Sequence, residues 1–158
     1  MSDQLIHLKV NGTLHTVAVA TQRTLLEVLR EQLGYTGTKR ACRVGDCGAC
    51  TVIIDGKAVL SCLTLAVEAQ GKEIVTIEAL GDGERPDPIQ QSFVDCGAVQ
   101  CGFCTPGMVM SAKALLDDNP QPDRDEVRRA IAGNLCRCTG YAKIVEAIEA
   151  AAAKPVAG

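Results

Sequence analysis

Apolar and polar residues alternate over residues 5–19, with Ile6, Leu8 and Val10 before Asn11-Gly12 and Leu14 after it. This period of two, broken by Asn-Gly, predicts a β-hairpin, because both turn positions need φ > 0. At Thr24 the pattern changes. Thr24-Leu-Leu-Glu27 is a capping box, so a helix is expected from there to about Leu33, with Gly34 as its stop. Residues 51–54 and 58–60 flank an Asp55-Gly56 turn and predict a second hairpin, and residues 73–77 predict a further strand. Together these elements suggest a small sheet with one helix packed across it.

Residues 81–88 read as a linker by their Gly, Pro and Asp content. Everything beyond reads as helix. Pro88 suits the first position of a helix to about Cys96, and Thr105-Pro106 pairs an N-cap with Pro at N1 for a helix ending near Asp118. Asp123 with Glu126 opens another, closed by Gly133. A final Ala-rich helix from Tyr141 to about Ala153 has Ile144, Val145 and Ile148 on one face. Four helices suffice for a small bundle. The fold class is therefore α+β, with a sheet domain over residues 1–80, a linker over 81–88 and a helical domain over 89–158.

The chain has 158 residues, with no Trp, two Phe and two Tyr, so its cores must be built from Ala, Val, Ile and Leu. Cores that small gain from metal sites. A net charge of −3 offers no basic face, which disfavours nucleic acid as a partner. No apolar run approaches the ~20 residues needed to span a bilayer. MSDQLIHLKV lacks a basic region leading into an apolar stretch, and Arg128-Arg129 lies far inside the chain. The expected location is the cytoplasm, where thiols stay reduced.

Eight of the nine cysteines form two quartets of different spacing. Cys42, Cys47, Cys50 and Cys62 follow Cys-x4-Cys-x2-Cys-x11-Cys, and Cys101, Cys104, Cys136 and Cys138 follow Cys-x2-Cys-x31-Cys-x-Cys. The first triplet has plant-type [2Fe–2S] spacing, in which four thiolates hold two bridged irons. Gly45 and Gly48 let that backbone wrap closely and aim N–H groups at sulfur, which sets reduction potential. Cys136 and Cys138 cannot share a helix, since residues two apart differ by roughly 200° about its axis. They are expected on the loop between the last two helices, which returns them to Cys101 and Cys104. The bundle and a partner should shield this second site, whereas the first lies in a polar, Gly-rich loop.

Two clusters on one small chain make a relay for single electrons rather than a substrate site. The main alternative metal is zinc, since the second quartet alone resembles a four-cysteine zinc site. Cys96 is left over and reads as an apolar helix residue. His7 and His15 flank the hairpin as ordinary polar-face residues. Lys39, Arg40, Arg43 and Arg137 fall near the ligands, where most charges are simply solvated, although an arginine there would raise a cluster's potential or contact a partner's cofactor phosphate.

Thr-Gly-Thr-Lys39 leading to Gly45-Asp-Cys-Gly-Ala-Cys-Thr51, then Gln100-Cys-Gly-Phe-Cys-Thr-Pro-Gly-Met108, then Gly133-Asn-Leu-Cys-Arg-Cys-Thr-Gly-Tyr141, closely resemble the small iron–sulfur subunit of molybdenum hydroxylases. That family includes xanthine dehydrogenase, carbon monoxide dehydrogenase and 4-hydroxybenzoyl-CoA reductase, and the resemblance spans roughly residues 5–150.

The resemblance implies a β-grasp plant-type ferredoxin domain followed by a four-helix bundle, with a [2Fe–2S] cluster in each. It implies a large subunit carrying molybdopterin and a medium subunit carrying FAD, assembled as a dimer of heterotrimers. Electrons would pass from molybdenum through the C-terminal cluster and then the N-terminal cluster to FAD. Gln100 and Cys138 match positions that approach the pterin. Cys-Thr-Pro-Gly and Cys-Thr-Gly-Tyr differ from the Cys-Gln-Ser-Gly and Cys-Gly-Thr-Tyr of the flavin-free isoquinoline branch and favour a flavin partner. The chain departs from the family at Ala41, where Gly usually precedes the first cysteine; a positive φ there would add strain of about 1 kcal/mol. On this reading the chain is part of an oxidoreductase with no turnover alone. A free-standing two-cluster ferredoxin and a zinc-stabilised adaptor are the competing readings.

Overall fold

The computed structural model describes residues 3–153. Strands β1 (Asp3–Val10) and β2 (Thr13–Ala20) pair antiparallel around Asn11 and Gly12, whose φ values are 52° and 78°. Strands β3 (Thr51–Ile54) and β4 (Lys57–Leu60) form the second hairpin around Asp55-Gly56, also with both φ positive. Strand β5 (Glu73–Val75) joins the two hairpins, parallel to β1 and antiparallel to β3, so the sheet order is β2-β1-β5-β3-β4. The strand expected over residues 73–77 stops short, because Ile77 opens a 3-10 turn. Asn11 fixes that end: its N–H donates to the Ile74 carbonyl, and its Oδ1 accepts the Thr76 N–H at 2.8 Å.

Thr24 and Glu27 form the predicted capping box at helix α1 (Leu25–Glu27). The next turn, Val28–Gln32, is π-helical, with the Leu33 N–H donating to the Val28 carbonyl. An apolar pattern over two turns does not separate these helical forms. Leu25, Val28 and Leu29 face the sheet and bury Ile6, Leu8 and Val10 of β1, Val52 and Ile54 of β3, and Ile74. Each such side chain contributes about 1.5–3 kcal/mol through burial.

Helices α2 (Pro88–Asp95), α3 (Thr105–Asp118), α4 (Arg124–Ala130) and α5 (Ala142–Ala152) share a second core. It contains Ile89, Phe93, Met108, Val109, Val127, Ile144 and Ile148. The N-cap of α3 is Cys104, one residue earlier than expected, so a candidate ligand opens the helix and Pro106 falls inside the first turn. Helix α4 ends at Ala130 rather than at Gly133, and the chain turns there through the Asn134 N–H on the Ile131 carbonyl.

The two halves are packed against each other. All four residues of β3 are buried, because one face looks into the first core while Ile53 packs on Met110 and Ala114 of α3. Beside this contact lies a buried polar knot. Asn134 Nδ2 donates to the Gly48 carbonyl at 2.9 Å, and Asn134 Oδ1 accepts from the Ser111 hydroxyl at 2.7 Å. Thr51 Oγ1 also donates to the Gly48 carbonyl, at 2.7 Å. Gly48 has φ of 69°, and a Cβ there would lie 2.6 Å from Asn134 Nδ2, so glycine is required for conformation and for approach. Asn134→Ala should lower stability by about 2 kcal/mol, because it leaves buried partners unpaired. Thermal unfolding of the cluster-loaded chain measures this.

Candidate metal centres

The first quartet is built by a loop and a turn. Cys42 and Cys47 lie on the loop, Cys50 immediately precedes β3, and Cys62 follows β4, so the β3–β4 hairpin carries Cys62 back to its partners. Cys50 and Cys62 are buried, whereas Cys42 and Cys47 are half-buried. Backbone N–H groups of Val44, Cys47 and Asp46 point at the Cys42 sulfur, and that of Gly45 points at Cys62. This is the wrapping the glycine spacing predicts. Ala41 is not in the left-handed region, so the expected strain is absent; Arg43, with φ of 63°, occupies it instead.

The second quartet assembles at one end of the helical half. Cys101 lies in the loop before α3, Cys104 caps that helix, and Cys136 and Cys138 lie on the α4–α5 loop, as helical geometry requires. Cys101 and Cys138 are exposed, with their sulfurs 3.6 Å apart, while Cys104 and Cys136 are half-buried. The greater shielding expected for this quartet is therefore not provided by the chain itself, because the interhelical loops sit at one end of the helical half rather than within it. Gln100 is exposed beside Cys101.

Within each quartet the thiols pair two and two. The Cys101 and Cys138 sulfurs lie 3.6 Å apart, and Cys42 neighbours Cys47, Cys50 neighbours Cys62 and Cys104 neighbours Cys136. Among the described residues, no three of these groups converge on a point where one ion would be held. Two cysteines for each of two irons is the donor arrangement of a [2Fe–2S] cluster, and this pairing suits it. Thiolate is the ligand form. The Val44 N–H, first among several donors, holds the Cys42 thiol at about 6. Burial opposes ionisation of Cys136, yet the Thr139 hydroxyl and the N–H groups of Thr139 and Cys138 hold it at about 7. Burial pushes Cys62 and Cys104 up to about 12, and a neighbouring thiol adds to each shift. Positive iron supplies the charge that lets these crowded sulfurs ionise together. The residues fit the group.

The ligand loops touch one another. The Leu135 N–H, next to Cys136, donates to the carbonyl of Cys47 at 2.9 Å. A family model described as "2Fe-2S iron-sulfur cluster binding domain" matches residues 8–76, and one described as "[2Fe-2S] binding domain" matches residues 76–149. The nicotinate dehydrogenase small FeS subunit of Eubacterium barkeri is 47% identical over 148 residues, covering 94% of both chains. The nicotine 6-hydroxylase small subunit of Paenarthrobacter nicotinovorans is 52% identical over 143 residues, covering 90% of this chain and 86% of its own. The chain belongs to the small iron–sulfur subunits of the molybdenum hydroxylases. Among solved structures, a chain of quinoline 2-oxidoreductase from Pseudomonas putida 86 superposes with a TM-score of 0.92 at 47% identity, covering 96% of this chain and 95% of that one.

Membership settles zinc against iron: this is an electron-transfer subunit carrying two [2Fe–2S] clusters, part of an oxidoreductase. Other sequence-level readings divide. Arg40, Arg43 and Arg137 are all exposed, and Arg40 together with Arg23 also clamps Glu31, at 2.7 and 2.6 Å. Cys96 is half-buried against the helical core at the end of α2. His7 contacts Thr16, and His15 contacts Tyr35. Asn134, Thr139 and Tyr141 lie in the motif around the last two cysteines, but nothing in the sequence assigns their side chains the contacts they make here.

Two outcomes follow from this geometry. In the loaded chain freed of partners, chelator under reducing conditions should remove the exposed C-terminal cluster before the N-terminal one. The separate EPR signals report the order, and earlier loss of the N-terminal signal would contradict it. Ala41→Gly should cost about 0.5 kcal/mol in thermal unfolding rather than relieve strain, because an ordinary φ gives glycine only its entropic penalty.

Proposed function

We propose that this chain relays electrons between a molybdopterin-bearing large subunit and an FAD-bearing medium subunit of an enzyme that hydroxylates an N-heteroaromatic compound. The observation that carries the relay is the contact between ligand loops, with one quartet open to the surface and the other largely enclosed. Cys42, Cys47, Cys50 and Cys62 would hold the N-terminal cluster, and Cys101, Cys104, Cys136 and Cys138 the C-terminal one. Cys96 would hold neither. When bound, the two clusters each take up and release one electron, so together they divide a two-electron change into single steps.

The exposure of the C-terminal quartet supports one orientation of the relay. Cys101, Cys138 and Gln100 present the C-terminal site outward beside exposed Val99 and Phe103. This end would face the large subunit, with Gln100 and Cys138 approaching the pterin. The N-terminal loop would face the FAD subunit, where the exposed Arg43 offers a charge to a cofactor phosphate. A β-grasp ferredoxin domain over residues 1–80, a linker over 81–88 and a four-helix bundle over 89–158 is the matching division. The two cores and the sheet order support it. Assembly would be a dimer of heterotrimers in the cytoplasm; among the described residues, no helix is long and apolar enough to cross a membrane.

The names of the relatives motivate the substrate class, since nicotinate, nicotine and quinoline are all N-heteroaromatic. Native isolation should recover molybdenum-bearing and flavin-bearing subunits with this chain. Nicotinate or quinoline should then reduce the bound flavin, and Cys101→Ser or Cys138→Ser should abolish that reduction while leaving the N-terminal EPR signal. Purification as a lone two-cluster protein, with every molybdenum hydroxylase activity surviving its deletion, would favour a free ferredoxin.

A further inference from the structure

We infer that Thr139 is a positioning residue that sets the reduction potential of the C-terminal cluster through a hydroxyl hydrogen bond to the sulfur of Cys136. This rests on the reading above that Cys136 is a ligand. The Thr139 Oγ1 donor lies 3.1 Å from Cys136 Sγ, ordinary for a hydroxyl on sulfur. The same oxygen accepts the Tyr141 N–H at 3.2 Å, which leaves its single proton free for the sulfur. Tyr141 completes the clamp: its phenolic oxygen accepts the Cys136 N–H at 2.9 Å.

The backbone is committed to this arrangement. Tyr141 is held at φ of 68°, an uncommon conformation for a bulky side chain, and is packed against the helical core. That conformation turns the chain into α5 while directing the ring oxygen back to Cys136. Both Thr139 and Tyr141 are half-buried, so water competes weakly for the hydroxyl. At the N-terminal site, by contrast, Cys42 draws its donors from backbone N–H groups and the Cys47 thiol, and Cys62 from the Gly45 N–H. A backbone donor is present whatever the residue. A threonine hydroxyl can be removed by one substitution, which makes the C-terminal potential separately adjustable.

The sign follows from charge. Reduction adds an electron to a cluster whose sulfurs already carry negative charge, and a donor on Cys136 stabilises the reduced form more than the oxidised one. Removing the donor must lower the potential. Thr139→Val keeps the branched shape and deletes the proton; Thr139→Ala also removes a methyl; Thr139→Ser restores the donor.

The test is an EPR-monitored redox titration of the full-length chain as purified, with the N-terminal cluster as internal reference. At a fixed ambient potential near the native midpoint, Thr139→Val should reduce the ratio of reduced to oxidised C-terminal cluster by on the order of tenfold, as expected for a lost charge-assisted hydrogen bond. The N-terminal midpoint should stay in place, and Thr139→Ser should return the C-terminal one close to its native value. Unchanged midpoints, or equal shifts in both clusters, would overturn the inference. Should Thr139→Val not load the second cluster, Thr139→Ala is read instead. Failure of both with Thr139→Ser loading normally would make the hydroxyl an assembly requirement and overturn a tuning role. Cys136→Ser separates the two readings: retention of a native C-terminal signal there would remove Cys136 from the ligand set, whatever Thr139 does.

Discussion

The structure depends on holding two cysteine-bearing loops, from opposite halves of the chain, in direct hydrogen-bonded contact with each other. The Asn134 side chain does most of this, by satisfying the Gly48 carbonyl and the Ser111 hydroxyl at once. The neighbouring Leu135 N–H completes the link to Cys47. A buried polar group without a partner costs about 1–3 kcal/mol, so a fully paired knot stabilises this docking and penalises any slip of it. Glycine at position 48 is what lets the loops come this close.

That constraint explains why both cores can be so poor in aromatic residues. Phe93 is the only phenylalanine in the core, and apolar burial elsewhere comes from aliphatic side chains and Met108 and Met110. Domains of this size bury limited surface, and metal binding adds folding free energy to them directly. The quartets make the same point from the other side. Burial, with a neighbouring thiol adding to it, displaces Cys62 and Cys104 upward, so these two resist ionising until positive charge is placed beside them. Folding of the loops and loading of iron are therefore coupled.

Much of this was legible in the chain. Both hairpin turns carried residues that tolerate φ > 0, and the capping boxes at Thr24 and Asp123 marked helix starts that the structure places there. Asp87 adds a third such box with Gln90. Helix ends were less legible: α4 stops three residues before Gly133, because a turn closed by backbone bonds leaves no side-chain signature. The Asn134 knot was invisible for a different reason. It joins residues 83 and 86 positions apart, and no local periodicity reports a contact of that range. Cysteine spacing picked out the candidate donors, yet their two-and-two pairing needed the fold, since it follows from which loop end approaches which helix.

The two metal sites also differ in what their surroundings ask of a partner. The N-terminal site is largely self-sufficient: Cys50 and Cys62 are buried by the chain's own sheet and helix, and backbone groups supply the sulfur contacts of Cys42. The C-terminal site leaves Cys101 and Cys138 exposed, beside a half-exposed Phe103. Thiolates bound to iron in that position would meet water and oxidants, which favours damage over controlled transfer. Covering that face with another subunit would exclude solvent and bring its redox centre close in the same step. The asymmetry thus suits an electron carrier inside a larger enzyme: one site is finished by its own fold, and the other would be finished by a covering subunit.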